Sequence, residues 1–369
     1  MIQFEHRPGL LDLGWGHPRP GLLPVEEWAT ATAAAAREFG WRQLTYGYPT
    51  GPAPLLEWLS ARLGTEAGQL FVTGGASHGM ALVASLLAGP DDVILVDSPT
   101  YHLAFRILAD TGARLVRAPA DADGVDPDAL AGMLAALRAP GKLLYLVPTF
   151  ANPTGRSLPL DRRRALVALA QRSGLTLLED DNYRELSYDG EAPPSLWDLS
   201  GGEGVVRVGT FSKTVAPGLR LGWVNAAPTL IARLTELGYV ESGGGVNHAV
   251  ATTMSCFGAS GAYDRHVAAV RAEYREQRDA LVAAVRPHLP VAAPAGGWFL
   301  WVTLPPGLGA TRLLAAAERH GTSFVPGPRF YLDGPGGEDR IRLSFSHLAA
   351  SDLTEAATRL GAALPTAWG

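Results

Sequence analysis

The sequence predicts an α/β chain, with a mostly parallel sheet in a large domain followed by a smaller α+β domain. Three observations carry that expectation. Short runs that are apolar on both faces alternate with segments of helical period through the middle of the chain, as parallel strands covered by helices do. After about residue 255 the pattern changes to one long helical segment and short strands. The length of 369 residues and a hydrophobic share of 47% allow a large core and about two domains.

Residues 1–35 read as an N-terminal arm and the start of the small domain, because the stretch to about Pro24 is rich in Gly and Pro. Residues 36–255 read as the large domain. Its strand candidates are Leu70–Thr73, Val93–Asp97, Arg114–Arg117, Leu143–Val147, Thr176–Glu179 and Val205–Gly209. Helix candidates lie between them at Ser77–Leu87, Pro127–Arg138 and Leu160–Ser173, with turn signals such as Gly89-Pro90-Asp91. Residues 256–369 read as the small C-terminal domain. It opens with a helix over Ala262–Val285 and continues with strands at Trp298–Thr303, Ser323–Val325 and Arg340–Ser344 and two more helices.

The composition excludes several classes of function. Against 36 acidic residues stand 31 Lys and Arg, a formal net charge of −5, and the basic residues are scattered. That gives no support for nucleic-acid or membrane-surface binding. No stretch approaches the roughly 20 apolar residues of a membrane span. The first residues lack a basic segment followed by an apolar run, so the expectation is a soluble cytoplasmic protein. The one cysteine, Cys256, cannot form a disulfide within the chain and reads as buried packing in a helix. No metal site is expected. There are only two lysines, Lys142 and Lys213, so the setting of each is informative.

Lys213 stands in Gly209-Thr210-Phe211-Ser212-Lys213-Thr214-Val215-Ala216-Pro217-Gly218-Leu219-Arg220-Leu221-Gly222-Trp223, just after a strand candidate. A lysine beside a strand is ordinarily a solvated surface group. Here hydroxyls at Thr210 and Ser212, an arginine at Arg220 and several glycines surround it. An aldehyde cofactor bearing a phosphate needs that combination. The amine forms an imine, while hydroxyls and a guanidinium hold the phosphate. Burial and the Arg220 charge would lower the lysine's pKa and free it to act as a base.

This segment resembles the lysine motif of the fold-type I enzymes dependent on pyridoxal phosphate, the aspartate aminotransferase superfamily. The likeness is strongest to the branch holding kynurenine and 2-aminoadipate aminotransferases and the MocR-type catalytic domains. It runs from about Gly16 to Leu360. The resemblance implies pyridoxal 5'-phosphate as cofactor, bound to Lys213 as a Schiff base, and the PLP-dependent transferase fold type I.

Further motifs follow in the family's order. Asp180, in Glu179-Asp180-Asp181-Asn182-Tyr183, ends a strand, where a carboxylate can pair with a protonated ring nitrogen. The resemblance gives Asp180 that role and gives Tyr183 a hydrogen bond to the ring's phenolic oxygen; Asp181 is the adjacent alternative. Asn152, in Asn152-Pro153-Thr154-Gly155, lies 28 positions before Asp180, also after a strand. That is the edge where open α/β sheets bind ligands. The resemblance makes Asn152 a donor to the same phenolic oxygen, close to the substrate. Thr73-Gly74-Gly75-Ala76-Ser77-His78-Gly79 joins a strand to a helix, so the N–H groups of Gly75, Ala76 and Ser77 can cradle a phosphate. Ser77 and His78 replace the usual glutamines. Tyr101 matches the aromatic that stacks on the ring.

Arg342, in Arg340-Ile341-Arg342-Leu343-Ser344-Phe345, matches the arginine that clamps the substrate carboxylate. Alternation leaves Arg340 on the same face as the alternative. Gly16, in Gly14-Trp15-Gly16-His17-Pro18, matches the arm glycine near the substrate, and Gly296-Gly297-Trp298-Phe299 the small-domain turn beside it. Tyr46 resembles the tyrosine that reaches the neighbouring subunit's phosphate, with Tyr48 as the possible confusion. The implied assembly is therefore a homodimer with shared active sites.

Three departures stand out. Glu241-Ser242-Gly243-Gly244-Gly245-Val246-Asn247-His248 replaces a Ser/Pro-rich turn and a glutamine, which suggests a wider pocket or one filled by Asn247 or His248. Trp15 and His17 replace smaller residues. The predicted reaction is transfer of the α-amino group of an amino acid to a 2-oxo acid, with those small molecules as the partners. The same motifs also serve elimination, replacement or cyclisation of an amino-acid side chain. A third reading is a regulator that uses the fold to bind an effector, but no basic helix-turn-helix segment precedes the arm.

Overall fold

The computed structural model describes residues 7–139, 141–333 and 335–367. Residues 1–6, where the sequence shows no leader-like run, lie outside the described residues. The chain opens with strand β1 (Leu11–Asp12), then helices α1 (Val25–Phe39) and α2 (Ala53–Leu63). Next come β2 (Leu70–Thr73), α3 (Ala76–Leu87), β3 (Val93–Val96), α4 (His102–Ala109) and β4 (Arg114–Arg117). A small hairpin, β5 (Ala120–Asp121) and β6 (Gly124–Val125), leads to α5 (Pro127–Ala136), β7 (Gly141–Leu146), α6 (Leu160–Ser173) and β8 (Thr176–Asp180). Then follow α7 (Leu196–Ser200), β9 (Val205–Thr210), β10 (Gly222–Asn225), α8 (Pro228–Thr235), α9 (Gly238–Glu241) and α10 (His248–Ala259). The last part holds α11 (Ala262–Val285), β11 (Phe299–Thr303), α12 (Ala310–Arg319), β12 (Thr322–Ser323), β13 (Val325–Pro326), β14 (Arg340–Ser344) and α13 (Ala350–Thr366).

The central sheet has seven strands in the order β2-β10-β9-β8-β7-β3-β4. Only β10 runs against its neighbours, pairing antiparallel with both β2 and β9. β2, β3, β7 and β9 are buried along most of their length because helices cover both faces. Local chemistry sets the helix ends. Asp126 caps α5 by accepting from the N–H groups of Asp128 and Ala129, with Pro127 at the first turn. Gly174, at φ +71°, ends α6 in the left-handed conformation that glycine adopts without strain. On one face of the sheet Leu144, Leu146, Leu177 and Val205 pack with Leu166 and Trp197. On the other, Tyr145, Leu178 and Val208 share a core that continues into Trp298, Phe299, Leu313 and Leu353 of the C-terminal layer.

That layer is a three-stranded antiparallel sheet, β11-β14-β13, with α11, α12 and α13. The segment expected as one strand over Ser323–Val325 is two. β12 pairs with β1, and β13 pairs with β14, with buried Phe324 between them. The arm is correspondingly not a loose segment. β1 pairs in parallel with β12, and Leu13 is fully buried. The domain borders expected after residues 35 and 255 each cut a helix, α1 and α10. Those helices pack together through Ala31, Met254 and Phe257, in a cluster that includes Leu55 and Leu59 of α2. Cys256 packs against this cluster without being fully buried. It is half-buried on α10, and its thiol lies 3.5 Å from Glu38 Oε2. Burial and that carboxylate push the thiol pKa up.

Candidate active site

The C-terminal ends of the central strands gather the chemistry-bearing side chains at one rim. Lys213 lies in the turn after β9, half-buried, with Nζ 3.4 Å from the carbonyl oxygen of Gly16. Its ammonium stands 4.8 Å from the centre of the Trp298 ring and 5.9 Å from that of Tyr183. Burial lowers its pKa to about 8, with Arg342 and Arg220 acting in the same sense and Asp180 opposing them. The amine is therefore held much closer to its neutral, nucleophilic form than a solvated lysine is.

Asp180 ends β8 and is 3% exposed. Its Oδ2 accepts a 2.8 Å hydrogen bond from the Tyr145 hydroxyl, whereas its Oδ1 is buried with no hydrogen-bond partner. Burial raises this carboxyl to about 6. The neighbouring alternative, Asp181, is occupied. Its Oδ2 accepts from Arg184 Nε at 2.5 Å and Arg207 Nε at 2.8 Å, and these guanidiniums hold its pKa down against burial. Tyr183 is buried with its ring 5.9 Å from that of Phe299. Tyr101 stands at the start of α4, close enough to Tyr145 and Arg342 to bias the ionisation of both.

Beside Lys213 lies a polar cradle. β10 returns the chain against β9, so Arg220 comes to the same rim. Its Nη2 donates to the Gly74 carbonyl at 2.9 Å, and its Nη1 lies 3.5 Å from Ser212 Oγ. Thr210 Oγ1 is 2.9 Å from Ser212 Oγ. Gly75 precedes α3 at φ +99°, and a Cβ there would lie 2.9 Å from Arg220 Nη2. Only glycine suits both the conformation and the close approach. Gly75 has no side chain to cap α3, so the first N–H groups of the helix, those of Ala76 and Ser77, remain available to an anion. His78 accepts from the Gly74 N–H at 3.0 Å and faces the Tyr239 hydroxyl at 3.4 Å.

Across from the cradle, Arg342 donates to Asn152 Oδ1 at 2.9 Å and to the Gly14 carbonyl at 2.7 Å. Its guanidinium lies over the Phe299 ring at 4.2 Å, and its buried Nε has no hydrogen-bond partner. The strand partner Arg340 separates from it by engaging Thr303 and Asp339 at a more exposed position. The arm crosses between the two cations, with Gly16 O toward Lys213 and Gly14 O on Arg342.

Tyr46 stands apart from this group. It is 81% exposed and rests against Gly243, whose Cβ would lie 3.3 Å from its ring. Tyr48 is exposed as well, 6.4 Å from the His248 ring. The glycines at 243–245 do not widen a pocket. A Cβ at Gly244, φ +79°, would lie 2.6 Å from the Gly47 carbonyl, so close backbone approach requires glycine there. Asn247 caps α10 through the Val250 N–H, and His248 packs on Gly47.

Two members of the site escaped the reading of the sequence. Tyr145 looked like strand core, although a buried tyrosine needs a partner for its hydroxyl, and that was the available signal. His17 looked only like a substitution in the arm. It lies close enough to Lys213 and His347 for both to depress its pKa, which burial above all brings to about 4.

Pyridoxal phosphate fits this arrangement. The unpartnered Asp180 Oδ1 awaits a donor such as a ring N–H, the cradle suits a phosphate, and Lys213 is a depressed amine. A family model described as aminotransferase class I and II matches residues 8–360. The 2-aminoadipate transaminase of Thermus thermophilus is 34% identical, over 99% of this chain and 92% of that protein. Aromatic-amino-acid aminotransferase 1 of Thermococcus litoralis is 30% identical, over 98% of this chain and 89% of its own. Among solved structures, an α-aminoadipate aminotransferase from Thermus thermophilus, complexed with N-(5'-phosphopyridoxyl)-L-leucine, superposes with a TM-score of 0.89. It is 33% identical and covers 98% of this chain and 93% of its own. The chain belongs to the class I and II aminotransferases, pyridoxal-phosphate enzymes of fold type I that transfer amino groups.

Proposed function

We propose that Lys213, Asp180 and Tyr183 are the catalytic residues and that Arg342, Asn152 and Gly16 receive the amino acid. When bound, pyridoxal phosphate supplies an aldehyde for the amine and a ring that accepts electrons from the substrate's α-carbon. Gly75, Ala76, Ser77, Thr210, Ser212 and Arg220 would hold its phosphate. Asp180 would keep its ring nitrogen protonated, Tyr101 would cover its face, and Asn152 and Tyr183 would reach its phenolic oxygen.

The chain's own residues divide the work. Arg342 binds the α-carboxylate through its planar guanidinium and so fixes the orientation of the α-carbon. Lys213 Nζ would take the proton from that carbon and pass it on as the amino group leaves the amino acid, and in the reverse half would deliver a proton to the α-carbon of a 2-oxo acid. Trp298 and Phe299 exclude water around that amine. The observation that carries this assignment is the meeting of Lys213, Asp180 and Arg342 at one rim, two of them on strands and one in the turn after a third.

The exposed aromatic segment Trp41, Leu44, Tyr46 and Tyr48 supports a homodimer in which Tyr46 reaches the partner's cradle. We also propose a small domain built from the arm and the residues after about 256, a large domain between them, and action in the cytoplasm. Lys213→Ala tests the central assignment. Turnover should vanish while the cofactor still binds without a covalent bond. Borohydride should tag the peptide containing residue 213 in the native enzyme alone. Normal turnover by this variant would falsify the assignment.

A further inference from the structure

The segment Gly14-Trp15-Gly16-His17 brings more than backbone to the site. While its carbonyls meet Arg342 and Lys213, the Trp15 and His17 rings stand 5.5 Å apart. Trp15 stacks on His347, from the segment after β14, at 4.9 Å and 29°. Phe299 lies behind the arm, 3.2 Å from the position a Cβ on Gly16 would take. His17 is uncharged at neutral pH, since burial, Lys213 and His347 hold its pKa near 4. Arg19 is the only Lys or Arg between residues 8 and 24, and it is bound to Glu273 at 2.8 Å.

We propose that Trp15, stacked on His347 and flanked by His17, is the specificity wall for the substrate side chain. This wall selects a neutral aromatic amino acid over one carrying a side-chain carboxylate. The inference rests on the aminotransferase reading and names its donor class. An aromatic side chain gains ring contacts with Trp15 and the imidazoles, each worth from a few-fold to about tenfold in affinity. A side-chain carboxylate at this wall would be desolvated against the Trp15 indole and the uncharged His17 imidazole or would have to break the Arg19–Glu273 pair. Likeness along the whole chain includes a 2-aminoadipate transaminase, whose donor is acidic, so the wall makes a distinction that overall similarity does not.

The test uses holoenzyme and two unreactive acids that lack the amino group, 3-phenylpropionate and adipate, titrated by calorimetry. Phenylpropionate should bind at least about tenfold tighter. In Trp15→Ala that ratio should fall about fivefold or more, and in Trp15→Phe most of it should return. A ratio taken on one preparation is independent of the fraction folded. The ratio of kcat/KM for phenylalanine over 2-aminoadipate should follow the same order. Equal or tighter binding of adipate overturns the wall, as does an unchanged ratio in Trp15→Ala. Absence of amino transfer from either donor, with the binding order intact, would sink the enzymatic reading and leave the wall standing.

Discussion

Two adjacent carboxylates leave the end of β8 into opposite surroundings. Asp181 belongs to a face where its charge is matched, and Glu179 on the same face is satisfied by backbone N–H groups. Arg184 and Arg207 both reach Asp181, and Glu179 accepts from the N–H groups of Leu196 and Trp197 at 3.0 and 3.1 Å. A cavity of about 470 Å³ opens on that side, and its cation Arg62 is paired with Glu185 and Asp264. Asp180 faces the other way and meets a neutral phenol. Each aspartate keeps a buried Oδ1 without a partner, so an orphan oxygen does not distinguish them. Charge does. Among the described residues no arginine pairs with Asp180, and its pKa rises where that of Asp181 falls. Asp181 is neutralised by the fold, and Asp180 is left short of a cation that a ligand can supply.

Substitution should split this pair cleanly. Asp180→Asn should cut the rate of amino transfer by about 10²–10³-fold, the scale for losing one preorganised charge. The thermal midpoint should hold or rise, because an uncompensated buried carboxylate has gone. Single-turnover rates and a melting curve measure both, and an intact rate breaks the comparison. Asp181→Asn should do the reverse. It strands two guanidiniums and should lower stability by about 3–5 kcal/mol in urea titrations, with the surviving folded fraction still binding cofactor.

The next effect is one of pH. The neutral Lys213 amine accumulates as pH rises through about 8, so capture of pyridoxal phosphate by apoenzyme should quicken about tenfold per unit below that value and level off above it. Asp180 raises this pKa, so in Asp180→Asn the same midpoint should move down. A midpoint near that of free lysine would remove the effect of burial on the amine, and an unmoved midpoint in Asp180→Asn would remove the electrostatic coupling between the strands. The smallest expected change belongs to Tyr46→Phe. Loss of the one hydroxyl proposed to reach the partner's phosphate should weaken cofactor affinity about tenfold at most, as measured by dialysis against free cofactor.

Six of the seven strands of the central sheet were legible, most of them because both faces are apolar, and their ends differ from the expected ones by at most two residues; the antiparallel β10 was not read as a strand. Lys213, Asp180 and Asn152 were legible for the same reason: each follows such a strand, at the edge where ligands bind. What connects them was not. Arg342 and Asn152 meet across 190 positions, and no local pattern encodes that hydrogen bond. Tyr145 was hidden because burial is what a strand residue ordinarily signals. Arg340 and Arg342 share a strand face, and only the fold separates a half-exposed arginine from a buried one. The glycines at 243–245 left open a wider pocket or one filled by Asn247 or His248; at Gly244 the missing side chain instead permits two backbone segments to touch.

The pairing of β1 with β12 splices the two ends of the chain into one lever. Residues 14–17 follow β1 directly, and Arg342 of β14 grips Gly14, so the start of the polypeptide is fastened to its C-terminal layer at two points. Any rocking of that layer over the sheet carries Trp15, His17, His347 and Arg342 as a single jaw. Shortening the chain past residue 11 would release one end of the jaw and leave Arg342 gripping a strap with no anchor.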